Sequence, residues 1–210
     1  MAIPVALAAV LALISWQVAV DGPLLELDTA TRNGVRSLRK ALHSIPLNHF
    51  GAAFSDLGGS FPAVPVLLGC AGLAAWLAHR AGRPLWWLPL AVAPVAAVLI
   101  PLLVVPAKAW FARPGPYGVP LAPDQWGWYP SGHTATSAIA YGTAALLLAR
   151  VLDPGLVRPV YAGTALVCLG VGAGLVWSDY HWLLDVLASW CLAGLVLWTL
   201  AAALRRLDPH

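Results

Sequence analysis

A histidine and an aspartate four residues apart, His181 and Asp185, have the spacing of a catalytic pair. Residues at this spacing lie on one face of a helix, so the carboxylate can reach the imidazole. A carboxylate bonded to one ring nitrogen fixes the tautomer and makes the other nitrogen a better nucleophile. The residues that separate the pair are apolar, which favours this role over an incidental pair on a surface.

A second group is the sequence Pro-Ser-Gly-His at 130–133, which reads as the beginning of a helix. Ser131 is a residue type that caps helices, and Gly132 lets a ligand approach the backbone. The unpaired N–H groups of a helix N-terminus form an anion site. The alternative is that Ser131 is only a cap and His133 only a polar residue at the membrane interface.

Two cations, Lys108 and Arg113, precede this segment. They could neutralise a phosphate group and stabilise its charge during transfer. The alternative is that each extends to the membrane interface as an anchor. Together with the histidines and Asp185, they fall at predicted helix ends on one side of a membrane, where ionisable groups are costly and point to function.

The composition places these residues in a membrane protein. Of the 210 residues, 60% are hydrophobic and only 10% are charged, against about 25% charged in an ordinary soluble domain. So few charges cannot cover a water-exposed surface, so most of the surface must face lipid. The chain has no basic run that would bind nucleic acid and no zinc-binding pattern.

Six apolar stretches have roughly the 20 residues that cross a bilayer core of about 30 Å. The prediction is an all-α polytopic membrane protein that forms a single domain over residues 1–210. The first stretch lacks a positively charged start, so we interpret it as a membrane helix and not as a signal peptide. The six helices are predicted at about 2–20, 60–78, 85–107, 131–149, 159–177 and 182–203.

The short connections at 79–84 and 150–158 carry two arginines each. Such loops favour the cytoplasmic side, which predicts that the histidines lie on the extracytoplasmic face of the plasma (inner) membrane. The segment 21–59 is long and polar. Its residues Val35, Leu38, Leu42 and Ile45 recur at helical spacing, which predicts an amphipathic helix on the membrane surface or, equally, one packed on the bundle.

This combination resembles the type-2 phosphatidic acid phosphatase superfamily, the lipid phosphate phosphatases. That family has three motifs: Lys-x6-Arg-Pro, Pro-Ser-Gly-His and Ser-Arg-x5-His-x3-Asp. The second motif is complete at 130–133, and the end of the third is present at 181–185. The six-helix layout and the place of the motifs between helices also match over most of residues 60–203.

The chain departs from the family pattern at each position where the pattern has an arginine. Counting from Lys108, the first arginine falls on Gly115, and Arg113 comes two residues early. The Ser and Arg of the third motif fall on Gly174 and Leu175. We therefore expect Arg113 to serve in place of the missing arginines.

The resemblance implies a two-step, metal-independent hydrolysis of a lipid phosphate without any cofactor. His181, oriented by Asp185, forms a phosphohistidine, and His133 protonates the leaving group and then activates water. Lys108, Arg113, Ser131 and Gly132 are expected to bind the phosphate. The partners are then the lipid phosphate substrate and the surrounding membrane lipids.

Other functions are also compatible with these motifs. A phosphotransferase would pass the same phosphohistidine to an alcohol. A catalytically inactive relative that binds lipid phosphates is favoured by the missing arginines. A channel or transporter fits less well, because the polar residues gather at one membrane face and not along a path through the midplane.

Overall fold

The computed structural model describes residues 2–122 and 125–207, and all regular secondary structure in these residues is helical. The helices in chain order are α1 (Ala2–Ala19), α2 (Leu25–Leu42), α3 (Ile45–Asp56), α4 (Ser60–Arg80), α5 (Leu88–Phe111), α6 (Gly132–Leu148), α7 (Pro154–Trp177) and α8 (Leu183–Leu207).

Within the described residues, five helices (α1, α4, α5, α7 and α8) are long and apolar enough to cross a membrane. The sixth predicted span, α6, has 17 residues, which is about 26 Å of helix and the lower end of the spanning range. The all-helical, polytopic fold that the sequence predicted is therefore confirmed, with boundaries within a few residues of those expected.

The sixth predicted span, α6, lies at the centre of the bundle. It packs against α4, α5, α7 and α8, and most of its residues are buried. Alanine, glycine, serine and threonine make up most of its sequence. Small residues let membrane helices approach closely, so this composition allows four neighbours around one short helix.

The prediction for residues 21–59 was wrong in one respect. The segment forms two helices, and Ile45 begins the second of them, α3, instead of continuing the amphipathic helix. The chain breaks because His43 adopts a left-handed conformation (φ 44°) and Ser44 caps α3 by accepting a hydrogen bond from the Leu47 N–H. Pro46 in the first turn of α3 fits the same break.

The amphipathic helix α2 contacts the bundle with its polar side. Asp28 is buried, and Arg32 and Arg36 donate hydrogen bonds to the two carboxylate oxygens of Asp179, at 3.0 and 2.9 Å. Leu38 and Leu42 are about half exposed. The helix thus packs on the protein through charges and presents apolar side chains on its free side, as a helix at a membrane surface does.

The helix α3 lies against the second half of α7. The Phe54 ring packs where a side chain at Gly170 would be, and the Gly51 carbonyl lies where a side chain at Gly174 would be. Two glycines four residues apart on α7 thus form the strip that receives α3, as small residues at this spacing do in membrane helix pairs. This contact holds α3 at the end of the bundle where α6 begins.

This contact gives a stability test. A Cβ at Gly174 would lie 2.5 Å from the Gly51 carbonyl oxygen, and backbone on both sides cannot yield easily. We expect Gly174→Ala to destabilise the detergent-solubilised protein by about 1–3 kcal/mol, read as a lower midpoint of thermal unfolding. Gly163→Ala is the matched control on the same helix, because nothing lies within 4 Å of its Cβ position. Equal midpoints for both variants would contradict the packing of α3 on α7.

Candidate active site

The ends of three elements converge on one cavity of about 430 Å³. The last turn of α5 contributes Lys108, the first turn of α6 contributes Gly132 and His133, and the turn before α8 contributes His181. Leucine, glutamine and tryptophan side chains from the loop between α5 and α6 complete the wall. The structure therefore brings together four of the seven residues that the sequence predicted for the site.

The imidazole of His181 is held by Asp185. Nδ1 lies 3.1 Å from Asp185 Oδ2, and this oxygen also accepts the Trp182 N–H at 3.3 Å. The other carboxylate oxygen, Oδ1, accepts from Arg113. Both oxygens are thus acceptors, so Asp185 is ionised and Nδ1 of His181 carries the proton. The lone pair is left on Nε2, the nitrogen that a nucleophilic imidazole uses.

Burial sets the charge state of His181. The side chain is 5% exposed, and burial lowers the pKa of the imidazole against the opposing effect of Asp185. The ring is therefore neutral at neutral pH. A neutral ring with a free Nε2 is the reactive form, so burial and the hydrogen bond from Nδ1 favour the same state.

The ammonium group of Lys108 is oriented by backbone carbonyls. Nζ donates to Gly127 O at 2.9 Å and to Trp128 O at 3.3 Å, which leaves a third N–H for a ligand. The loop approaches α5 closely because residue 127 is glycine: a Cβ there would lie 2.7 Å from the Lys108 carbonyl oxygen. The loop and the end of α5 thus fix each other, and the charge of Lys108 lies in the cavity wall.

The N-terminus of α6 supplies backbone donors. Ser131 is fully buried and caps the helix, because its Oγ accepts from the N–H and the hydroxyl of Thr134 at 3.3 and 3.0 Å. Its side chain therefore holds the helix start and is not in the cavity wall. The first N–H groups of α6, at Gly132 and His133, have no partners inside the helix and are suited to an anion.

The guanidinium of Arg113 lies behind Asp185 and not among the described residues that line the cavity. Nη1 donates to Asp185 Oδ1 and Nη2 donates to Asp28 Oδ2, each at 2.5 Å. The chain turns here because α5 ends at Phe111, Ala112 is left-handed (φ 44°) and Pro114 follows. The predicted role of Arg113 as a phosphate ligand thus has no geometric support, since Nη1 and Nη2 each donate to a carboxylate.

Sequence reasoning missed Asp28. This residue of α2 is 2% exposed, and its Oδ1 accepts the Leu184 N–H at 2.8 Å while Oδ2 accepts from Arg113. Burial raises its pKa against the opposing effects of these two donors. In the sequence, Asp28 is one of several charges on an amphipathic segment, and nothing in the spacing marks it as the buried one.

The positions of the missing family arginines are filled in other ways. A side chain at Gly115 would meet the Trp128 indole, whose ring lies 5.2 Å from the His181 ring. Leu175 is buried in a cluster with Val171 and Val186, and Gly174 receives α3. An arginine at 115 or 175 would displace one of these groups, so the absence of arginine there is built into the packing.

The fold and the site define a polytopic membrane protein with a buried histidine–aspartate pair beside a cationic, helix-terminal anion site. Residues 69–208 match the family model of the PAP2 superfamily, and the chain belongs to that superfamily. This confirms the resemblance seen in the motifs, and it supports a lipid phosphatase in general.

A solved structure shares the fold over nearly the whole chain. It is a transmembrane PAP2-type phosphatidylglycerolphosphate phosphatase from Bacillus subtilis, with a TM-score of 0.80 and 24% sequence identity. The match covers 99% of this chain and 98% of that one. No curated protein gives a significant match.

The geometry of Arg113 predicts how its replacement will act. A lysine has no fork and cannot bridge two carboxylates through separate nitrogens. We expect Arg113→Lys to destabilise the protein by about 1–3 kcal/mol and to lower kcat in a panel of lipid phosphates. Arg80→Lys, at an exposed arginine on α4, should change neither quantity. An Arg113→Lys variant with unchanged thermal stability and a raised KM would show instead that Arg113 binds the phosphate.

Proposed function

We propose that this protein hydrolyses a phosphomonoester or diphosphate of a membrane lipid through a phosphohistidine on His181, without a metal ion. The observation that carries the proposal is the state of His181. Its Nδ1–H is held by an ionised Asp185, so the Nε2 lone pair is free in a cavity that also holds Lys108, His133 and the α6 N-terminus. A nucleophile beside an anion site is what phosphoryl transfer requires.

In the first step, Nε2 of His181 attacks phosphorus and the bond from phosphorus to the leaving oxygen breaks. His133, which lines the same cavity, gives its proton to that oxygen. In the second step, His133 takes a proton from water, the water oxygen bonds to phosphorus, and the N–P bond breaks. Inorganic phosphate leaves and His181 is restored. The two histidines thus divide one hard displacement into two easier ones.

Lys108 and the N–H groups of Gly132 and His133 would stabilise the negative charge on the phosphoryl group during its transfer. An ammonium and a helix N-terminus both stabilise phosphoryl oxygens. The role of Ser131 is then to cap α6 and so to fix these N–H groups, and Arg113 acts through Asp185. No metal is needed if these groups supply the positive charge, and no group of three or more metal-binding side chains occurs among residues 2–122 and 125–207.

The two other readings differ in measurable ways. A phosphotransferase would need an acceptor alcohol, whereas a hydrolase releases phosphate in water alone. An inactive relative is suggested by one observation, namely that no arginine is among the described residues of the cavity wall. Such a protein would bind lipid phosphates and release nothing.

The decisive experiment measures phosphate release by the purified protein in detergent, with EDTA present. The substrates are phosphatidic acid, phosphatidylglycerol phosphate, and polyprenyl phosphate and diphosphate. We expect turnover on at least one of them. His181→Ala should abolish it, and Asp185→Asn should leave slow residual activity, since control of the tautomer by a carboxylate is worth on the order of 10⁴ in rate. Undiminished turnover by a folded His181→Ala protein would end the phosphohistidine proposal.

The same reasoning extends to orientation in the membrane. The arginine-bearing connections between α4 and α5 and between α6 and α7 lie at the opposite end of the spans from the cavity. Because short basic loops stay in the cytoplasm, we propose that the cavity opens on the extracytoplasmic side of the plasma membrane, where it would meet the head groups of the outer leaflet.

Cysteine labelling tests this orientation. Val119 is 67% exposed at the cavity end, and Gly155 is exposed in the first turn of α7, next to the connection from α6. In a background with the three native cysteines replaced, an impermeant maleimide added to whole cells should label Val119→Cys and should reach Gly155→Cys only after the membrane is opened. The reverse pattern would place the cavity in the cytoplasm and leave the chemistry unaffected.

A further inference from the structure

Four side chains from separate parts of the fold form one continuous chain of hydrogen bonds that ends at the proposed nucleophile. Asp28 of α2 accepts from Arg113, Arg113 donates to Asp185 of α8, and Asp185 accepts from His181. The three groups behind His181 are all at most 8% exposed. Such burial means that their charges are balanced mainly by one another.

We propose that Asp28 is a positioning residue for the His181–Asp185 pair, so that the surface helix α2 is part of the catalytic machinery. The proposal rests on the proposed function for its effect on rate. Its structural part, the influence of Asp28 on His181, does not depend on which reaction the site performs.

The hydrogen bonds determine the charge of each group. Both oxygens of Asp28 accept N–H donors, from Leu184 and from Arg113, and a proton on either oxygen would break one of these bonds. Asp28 is therefore ionised, as Asp185 is. Two carboxylates and one guanidinium leave one net negative charge next to the Nδ1–H of His181, which stabilises the positive charge that the ring gains on attack.

Without the charge of Asp28 the cluster would be neutral. Arg113 would then act on Asp185 alone, and Asp185 would be a weaker acceptor for His181. The ring would be less basic and a weaker nucleophile. Asp28 thus offsets the field of Arg113, and Arg113 can hold Asp185 in place without cancelling its charge.

Asp28 also fixes the backbone beside the pair. Its Oδ1 accepts the N–H of Leu184, the residue immediately before Asp185, in the first turn of α8. One carboxylate thus holds both the helix that carries Asp185 and the arginine that bonds to Asp185. An acidic group is also favourable at a helix N-terminus because of the helix dipole.

The other ionisable groups around His181 come from every element that meets there. Lys108 of α5 and His133 of α6 lie in the cavity wall, and Asp56 at the end of α3 acts on His133. Asp179, in the turn before His181, is bonded to Arg32 and Arg36. None of these groups contacts Arg113, so among the residues that the structure describes, Asp28 is the one ionisable group that shares that guanidinium with Asp185.

Asp179 provides the matched control. It is also a buried carboxylate (6% exposed) that ties α2 to the turn before α8 through two bonds to arginine. It differs from Asp28 in having no contact with the chain of bonds that leads to His181. If Asp28 only docks α2 on the bundle, substitution of Asp28 and of Asp179 should have the same effect. If Asp28 positions the His181–Asp185 pair, only its own substitution should change the behaviour of His181.

The test compares Asp28→Asn and Asp179→Asn in the full-length protein in detergent. For Asp28→Asn we expect kcat to fall about 10- to 100-fold, by analogy with the loss of an outer partner at metal-binding histidines. The acid limb of kcat/KM should move to lower pH, because a neutral His181 is required and the pKa of His181 falls when a nearby negative charge is removed. Asp179→Asn should keep the wild-type limb. A loss of stability in both variants with an unmoved limb would overturn the proposal.

Two further variants make the test specific. In an Asp185→Asn background, Asp28→Asn should have little further effect on kcat, because residues that act as a unit are not additive. A full additional loss would show that Asp28 acts by another route. Should Asp28→Asn fail to fold, Asp28→Glu keeps the charge, and an acid limb at the wild-type pH in that variant is the expected result.

A measurement without turnover separates this proposal from the proposed function. Nitrogen-15 spectra of histidine-labelled protein, assigned with His181→Ala, follow the titration of His181 directly. Asp28→Asn should lower that pKa even if the wild-type protein releases no phosphate from any lipid. Phosphate release with an unchanged His181 titration would overturn the positioning role and leave the proposed function standing.

Discussion

A single guanidinium shared between two buried carboxylates connects the outer part of this protein to its centre. Arg113, Asp28 and Asp185 are almost fully removed from solvent, and a charge in such surroundings must be paired and hydrogen-bonded. The two carboxylates depend on Arg113: its removal would leave two buried negative charges without their cationic partner, whereas removal of either carboxylate would leave Arg113 paired with the other alone. The arrangement joins α2, the loop after α5 and the start of α8. The His181 ring is positioned at the end of this network.

This superfamily member lacks arginine at both positions where the family pattern has one, 115 and 175, and has glycine in place of the pattern's serine at 174. The Trp128 indole, which packs edge-on to His181, occupies the space that a side chain at Gly115 would need. The backbone of α3 occupies the space beside Gly174. Leu175 is part of the apolar cluster beneath α8. Arg113, the remaining arginine of the motif region, is held by carboxylates. Among the described residues of the cavity wall, positive charge therefore comes from Lys108 and from backbone N–H groups. These groups are fixed by the fold and would need little reorganisation in the proposed binding of a phosphate.

The sequence predicted what depends on composition and on local spacing. The spans follow from length and hydropathy, and the contact of His181 with Asp185 follows from a four-residue spacing at a helix start. It did not predict α3, whose 12 residues are too few for a span and carry no strong periodicity. The buried state of Asp28 also could not be read from the chain, because it depends on which side of α2 meets α8. Arg113 was predicted to bind phosphate because of its residue type. In the structure it binds Asp28 instead, a carboxylate 85 residues away in the sequence.

Close backbone packing, and not long flexible side chains, brings the reactive groups together. A Cβ at Gly58 would lie 2.8 Å from both Cβ and O of His133, so the link between α3 and α4 lies directly against the first turn of α6. At Gly127 the loop before α6 touches the end of α5 in the same way. The first turn of α6 is thus confined by α5, by the α3–α4 link and, through the bond from Ser131 N–H to Asp185 O, by α8. Groups held by backbone contacts keep their distances when a substrate enters, and this rigidity is what a site built on electrostatic stabilisation requires.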